Sequence, residues 1–135
     1  MQDHNLVALV TFGALLVFTA SGIGVGRARY KYGVQAPAVT GHDIFERHIR
    51  AQMNTLEQLV VFLPALWLYA IYWGDLVAAV LGVLWLIARS IYIIAYVREP
   101  SKRGLAFAAG SLVNLVLLVG AAAGAIRALV SAGAA

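Results

Sequence analysis

The sequence predicts an all-α integral membrane protein, a four-transmembrane-helix bundle. Hydrophobic residues make up 62% of the 135 and charged residues 12%, whereas an ordinary globular domain is about half apolar and about a quarter charged. The mean hydropathy is +0.85. Four apolar runs each reach the roughly 20 residues that a helix needs to cross the hydrocarbon core. A soluble bundle would keep a polar face on every helix, and runs such as LVAAVLGVLWLIA and SLVNLVLLVGAAAGAI leave almost none.

The first run extends from about Leu6 to Gly26. A secretory leader would open on basic residues, but Asp3 and His4 precede this run, so it is expected to remain as a span. The second runs from about Met53 to Trp73, with Arg47 to Arg50 already reading as helix, and it contains Pro64, which removes one backbone hydrogen bond and favours a bend. The third covers about Leu76 to Val97. The fourth covers about Leu105 to Val130, with Pro100 expected to stop the third helix and Ser101 to cap the fourth. Gly13, Gly22, Gly24 and Gly26 on the first helix, and Gly110, Gly120 and Gly124 on the fourth, suit close helix packing in lipid. Residues 1–135 read as a single four-helix transmembrane domain without internal repeats.

The stretch RARYKYGVQAPAVTGHDIFERHIR between the first two spans holds five of the ten basic residues. REPSKRG, between the third and fourth, adds Arg98, Lys102 and Arg103, while the intervening turn offers only Asp75. By the positive-inside rule, loops one and three face the cytoplasm. The net charge of +4 is explained by this topology and implies no nucleic-acid partner. Having no cysteine, the chain excludes disulfides, thiolate metal sites and a cysteine nucleophile. His4, His42 and His48 form no ligand cluster, so no metal is expected. Ser21, Ser90 and Ser111 have no evident base.

The informative segment is RAQMNTLEQLVVFLPALWLYA, where Arg50, Asn54 and Glu57 head an apolar span. At about 100° per residue, Arg47, Arg50, Asn54 and Glu57 fall within roughly 80° of one another on one helix face. An unpaired carboxylate inside the bilayer costs at least about 2.5 kcal/mol. Two accounts fit: an internal Arg50 to Glu57 bridge, or a site. Arg89, Tyr92 and Tyr96, at i, i+3 and i+7 on the third helix, approach the same end and would face the first stripe, with Arg103 beside them. An interfacial aromatic belt is the alternative for the tyrosines, with Tyr69, Tyr72 and Trp73 forming the belt on the opposite side. A site of this composition suits a small zwitterionic or polyanionic ligand.

FERHIRAQMNTLEQLVVFLPALW followed by ARSIYIIAYVREPSKR resembles the MAPEG family, the membrane-associated proteins of eicosanoid and glutathione metabolism, nearest its leukotriene-synthase and microsomal glutathione transferase branch. The likeness covers about Arg27 to Gly110 and centres on R-x-x-x-N-x-x-E, then Tyr-x-x-x-Tyr and a following Arg. It implies a homotrimer that binds glutathione between subunits near the cytoplasmic face. Arg50, Asn54, Glu57, Tyr92, Tyr96 and Arg103 match positions that bind it from one subunit. Arg29 and Gln52 match positions that reach it from the neighbour. The residue types suit the ligand, since arginines can fork onto its two carboxylates and Glu57 can receive its ammonium.

Arg103 matches the arginine that holds the glutathione thiolate. Lowering a thiol by about two units from its ordinary ~8.5 requires about 2.7 kcal/mol of differential stabilisation. The thiolate would attack a lipophilic electrophile dissolved in membrane lipid. Tyr30 stands where the leukotriene branch has a second arginine, and Gln58 where it has a tyrosine. Those departures imply a broader glutathione transferase, with peroxidase activity towards lipid hydroperoxides as a side activity. Rival readings are a non-catalytic lipid-binding member and a small transporter or proton relay using Glu57. The lack of cysteines and of a lysine-based retention tail suggests a bacterial inner membrane.

Overall fold

The computed structural model describes residues 3–134 as four long helices: α1 (Asn5–Tyr32), α2 (Asp43–Trp73), α3 (Asp75–Arg98) and α4 (Gly104–Gly133). All four are long and apolar enough to cross a membrane. Large apolar side chains such as Leu9, Phe12, Val60, Leu76, Leu105 and Leu129 cover their outer faces, as expected of a bundle solvated by lipid. The family-level expectation of a multi-pass membrane bundle is met. α2 and α3 form its central pair, each packing on the other and on both α1 and α4.

The first two helices reach well beyond the apolar runs. α1 continues through its basic residues until Gly33, whose φ of 67° supplies a left-handed stop and whose N–H is bonded to the Arg29 carbonyl. α2 begins ten residues before Met53, where the His42 side chain accepts the Ile44 N–H at 3.2 Å and Asp43 and Glu46 complement the helix dipole. Helix propensity and capping carry these ends into the aqueous zone, where hydropathy gives no signal.

Ser101 does not cap α4. A 3-10 turn, Pro100–Lys102, intervenes; the Ser101 hydroxyl turns to Glu99 Oε1 at 3.3 Å, and α4 starts only at Gly104 without a side-chain cap. Asp75 has a role the sequence reading overlooked. Its two carboxylate oxygens accept the Leu6 and Val7 N–H groups at 2.9 and 3.0 Å, so the first residue of α3 caps the start of α1.

Phe62 and Trp85 stack at 4.0 Å in the centre of the bundle, surrounded by Val7, Val10, Ala14, Leu66 and Leu117. Close approach depends on particular glycines. A Cβ on Gly82 would lie 2.5 Å from Val10, so this residue, rather than the glycines of α1, sets the α1–α3 spacing most tightly. Gly120 and Gly124 receive the half-buried Tyr69 and Tyr72 rings on α4, while Trp73 beside them stays exposed. Gly26 has no neighbour close enough to need it.

Asp75→Ala should remove the α1 cap and cost about 0.5–2 kcal/mol, read as a lowered unfolding temperature in detergent with the helical circular dichroism of the folded state retained.

Candidate functional site

Three helices deliver polar side chains to one cavity of about 610 Å³, within the range of small-molecule sites. α2 contributes Arg50, Met53, Asn54 and Glu57; α3 contributes Tyr92 and Tyr96; Arg103, Gly104 and Phe107 come from the start of α4. The helical period explains the first two sets, since i, i+4 and i+7 on α2 and i, i+4 on α3 each share a face. Because α4 enters the cavity by its first turn, the cavity lies at the polar end of the bundle and not at mid-membrane.

All six residues expected from one subunit line this space. Tyr92 and Tyr96 lie with ring centroids 5.6 Å apart, and the Arg103 guanidinium sits 4.8 Å from the Tyr96 ring in a cation–π contact. Phe107 approaches Tyr92 at 5.9 Å and, with Met53, supplies an apolar wall. Met53, Gly104 and Phe107 escaped the sequence reading, although Phe107 lies one helical turn beyond Arg103. Arg50, Glu57 and Arg103 are exposed on the surface of the single chain.

The Arg50 to Glu57 bridge is not formed; among the described residues the one ion pair is Lys102 to Glu99, 2.8 Å, at the surface. Arg47 donates to the Val97 carbonyl at 3.3 Å and lines a smaller adjoining cavity of about 260 Å³, with Asp43, Glu46 and Pro100, that shares Arg50, Tyr96 and Arg103 with the main one. Arg89, grouped with Tyr92 and Tyr96 by spacing, does not line the pocket. Its side chain turns towards α2 and donates to Asn54 Oδ1 at 2.7 Å.

Arg29 and Gln52 lie elsewhere in the same chain. Arg29 donates to the Val34 and Ala38 carbonyls at 3.3 and 2.8 Å and rests over the Phe45 ring, holding the α1–α2 loop. Gln52 is about 200° around α2 from Asn54 and packs over Gly22 of α1. Tyr30 is 92% exposed. Gln58 is absent from the cavity lining and accepts the Asn114 amide of α4 through Oε1 at 2.8 Å. His42 stacks on Tyr32 at 3.9 Å, and His48 packs beside Gly24. Among the described residues no group of three metal-ligating side chains converges.

The MAPEG family model matches residues 6–123. The chain belongs to the MAPEG family. Among relatives of this MAPEG protein, microsomal glutathione S-transferase 2 of Mus musculus is 38% identical over 118 residues, 86% of this chain and 80% of that protein. Leukotriene C4 synthase of Cavia porcellus is 36% identical over 104 residues, 76% of this chain and 69% of that protein. An uncharacterised protein of Synechocystis is 51% identical over 114 residues, 84% of this chain and 83% of that protein.

Gln58→Leu should take from the Asn114 amide the shorter of its two acceptors, leaving only the Gln58 carbonyl at 3.4 Å, and destabilise the bundle by about 0.6–1.7 kcal/mol, read as a lowered unfolding temperature in detergent.

Proposed function

We propose that this MAPEG protein is a membrane-bound glutathione S-transferase that ionises the glutathione sulfur beside Arg103 and directs it at a lipophilic electrophile arriving from lipid. The observation that carries the reading is the convergence of Arg50, Asn54, Glu57, Tyr92, Tyr96 and Arg103 on one cavity in a chain similar to a glutathione S-transferase. Glutathione fits the donor set. It brings carboxylates for the arginines, an ammonium for Glu57, and acceptors for the Tyr92 and Tyr96 hydroxyls and the Asn54 amide.

Arg103 is the cation best placed for the sulfur, because Tyr96 holds its guanidinium at the start of α4, next to the apolar wall of Met53 and Phe107. A positive charge there favours the thiolate over the thiol. An electrophile sliding along the apolar side would meet the thiolate without either reactant leaving its preferred solvent, and proximity would supply much of the acceleration. The same thiolate would give peroxidase activity towards lipid hydroperoxides as a side reaction.

A homotrimer belongs to this reading. Glu57 is exposed on the single chain although it sits at the head of an apolar span, where an uncovered carboxylate is costly. A neighbouring copy that covers the cavity with its α1–α2 face would bring Arg29 and Gln52 towards the ligand. The orientation that fits the charge distribution puts loops one and three in the cytoplasm, where glutathione is supplied, and a bacterial inner membrane is the setting we assign.

Arg103→Ala should abolish the thiolate absorbance of bound glutathione and lower kcat/KM for a generic electrophile about a hundredfold, the equivalent of ~2.7 kcal/mol. Unchanged absorbance and conjugation would remove Arg103 from its assigned role. Binding of glutathione without turnover of any epoxide, enone or hydroperoxide would instead favour a lipid-presenting protein.

A further inference from the structure

Arg89 is the one charged side chain among the buried described residues, 1% exposed. It stands behind the cavity wall and not in it. One guanidinium nitrogen donates to Asn54 Oδ1 at 2.7 Å, while the group lies 4.4 Å from the Tyr92 ring and 5.6 Å from that of Trp85. Gly110 of α4 closes over it: a Cβ there would lie 3.9 Å from its Nη2 atom. Its Nε and Nη2 have no protein partner. A guanidinium held this way is a costly means of joining two helices, and an apolar side chain would do that more cheaply.

The pairing has a chemical consequence for the pocket. Arginine has only donors, so the Asn54 atom it meets must be the oxygen, and the amide cannot flip. The nitrogen of Asn54 is then the end left for the cavity that Asn54 lines. We infer that Arg89 is a positioning residue: by occupying the Asn54 oxygen it makes Asn54 a fixed N–H donor, so that the pocket accepts a carboxylate or carbonyl of the ligand at that point and discriminates against a donor. This rests on the glutathione reading and adds to it a residue that never touches the ligand.

The test is a double-mutant cycle in detergent or nanodiscs, with glutathione as the probe and circular dichroism to verify folding. Arg89→Met, which removes the donor, should raise the glutathione KM about tenfold, as expected for one charge-assisted contact of about 1.4 kcal/mol, with kcat changed less than threefold. Arg89→Lys, which keeps the charge and a donor, should recover most of that loss. In an Asn54→Ala background Arg89→Met should have no further effect on KM. An unchanged KM in Arg89→Met, or an undiminished effect in the Asn54→Ala background, overturns the inference. If both Arg89 variants fail to fold, Asn54→Asp and Asn54→Ala decide it. With Arg89 intact, Asn54→Asp turns an acceptor towards the ligand and should bind glutathione more weakly than Asn54→Ala; equal or tighter binding overturns the inference. Failure of the unsubstituted protein to bind glutathione would instead sink the functional reading itself.

Discussion

In hydrocarbon a polar side chain must find a partner, and α2 meets that requirement with each of the other helices. Trp67 donates to Thr11 of α1 at 3.0 Å, Asn54 receives Arg89 of α3 at 2.7 Å, and Gln58 receives Asn114 of α4 at 2.8 Å. Each bond is modest alone, typically ~0.6 kcal/mol in a membrane interior. Together they fix the rotation of α2 relative to its three neighbours. That rotation decides where Arg50 and Glu57 point, and with it whether a site exists. Packing reinforces the same setting, since Phe62 of α2 stacks on Trp85 and the Tyr69 and Tyr72 rings occupy the notches at Gly120 and Gly124.

The site itself uses the boundary between two solvents. Its charged residues enter from the polar ends of α2 and α4, so their hydration is given up only in part, while Met53 and Phe107 keep one wall apolar. On the proposed function, a charged thiol carrier and an oily electrophile meet there. Arg29, by contrast, is committed to the Val34 and Ala38 carbonyls in its own chain, and Gln52 to the α1 face. In the proposed homotrimer, those two residues would act across a subunit seam.

Helix periodicity made the fold and most of the cavity legible in the sequence. The spans are strongly apolar, and Asn54 and Glu57 stand out because polar groups are costly at the head of a span. Periodicity fixes the direction of a Cα–Cβ bond but not the reach of a long side chain. Arg89 therefore shared a face with Tyr92 and Tyr96 and still turned to a different partner. Gln58 was similarly ambiguous, because its partner Asn114 is 56 residues away. The Asp75 cap on α1 bridges 68 and 69 residues, a distance at which local pattern carries no information. Ser101 looked like a cap by spacing, but the turn opened by Pro100 took up the residues that would have placed it.

On the proposed function, these helices gather cations around a glutathione sulfur and keep it ionised. The most direct measurement is the ultraviolet thiolate absorbance of glutathione titrated into the purified, unsubstituted protein near neutral pH, where the free thiol is mostly protonated. A saturable thiolate signal, lost when S-methylglutathione displaces the ligand, is the expected result. Saturable binding of glutathione with its sulfur still protonated would contradict the account.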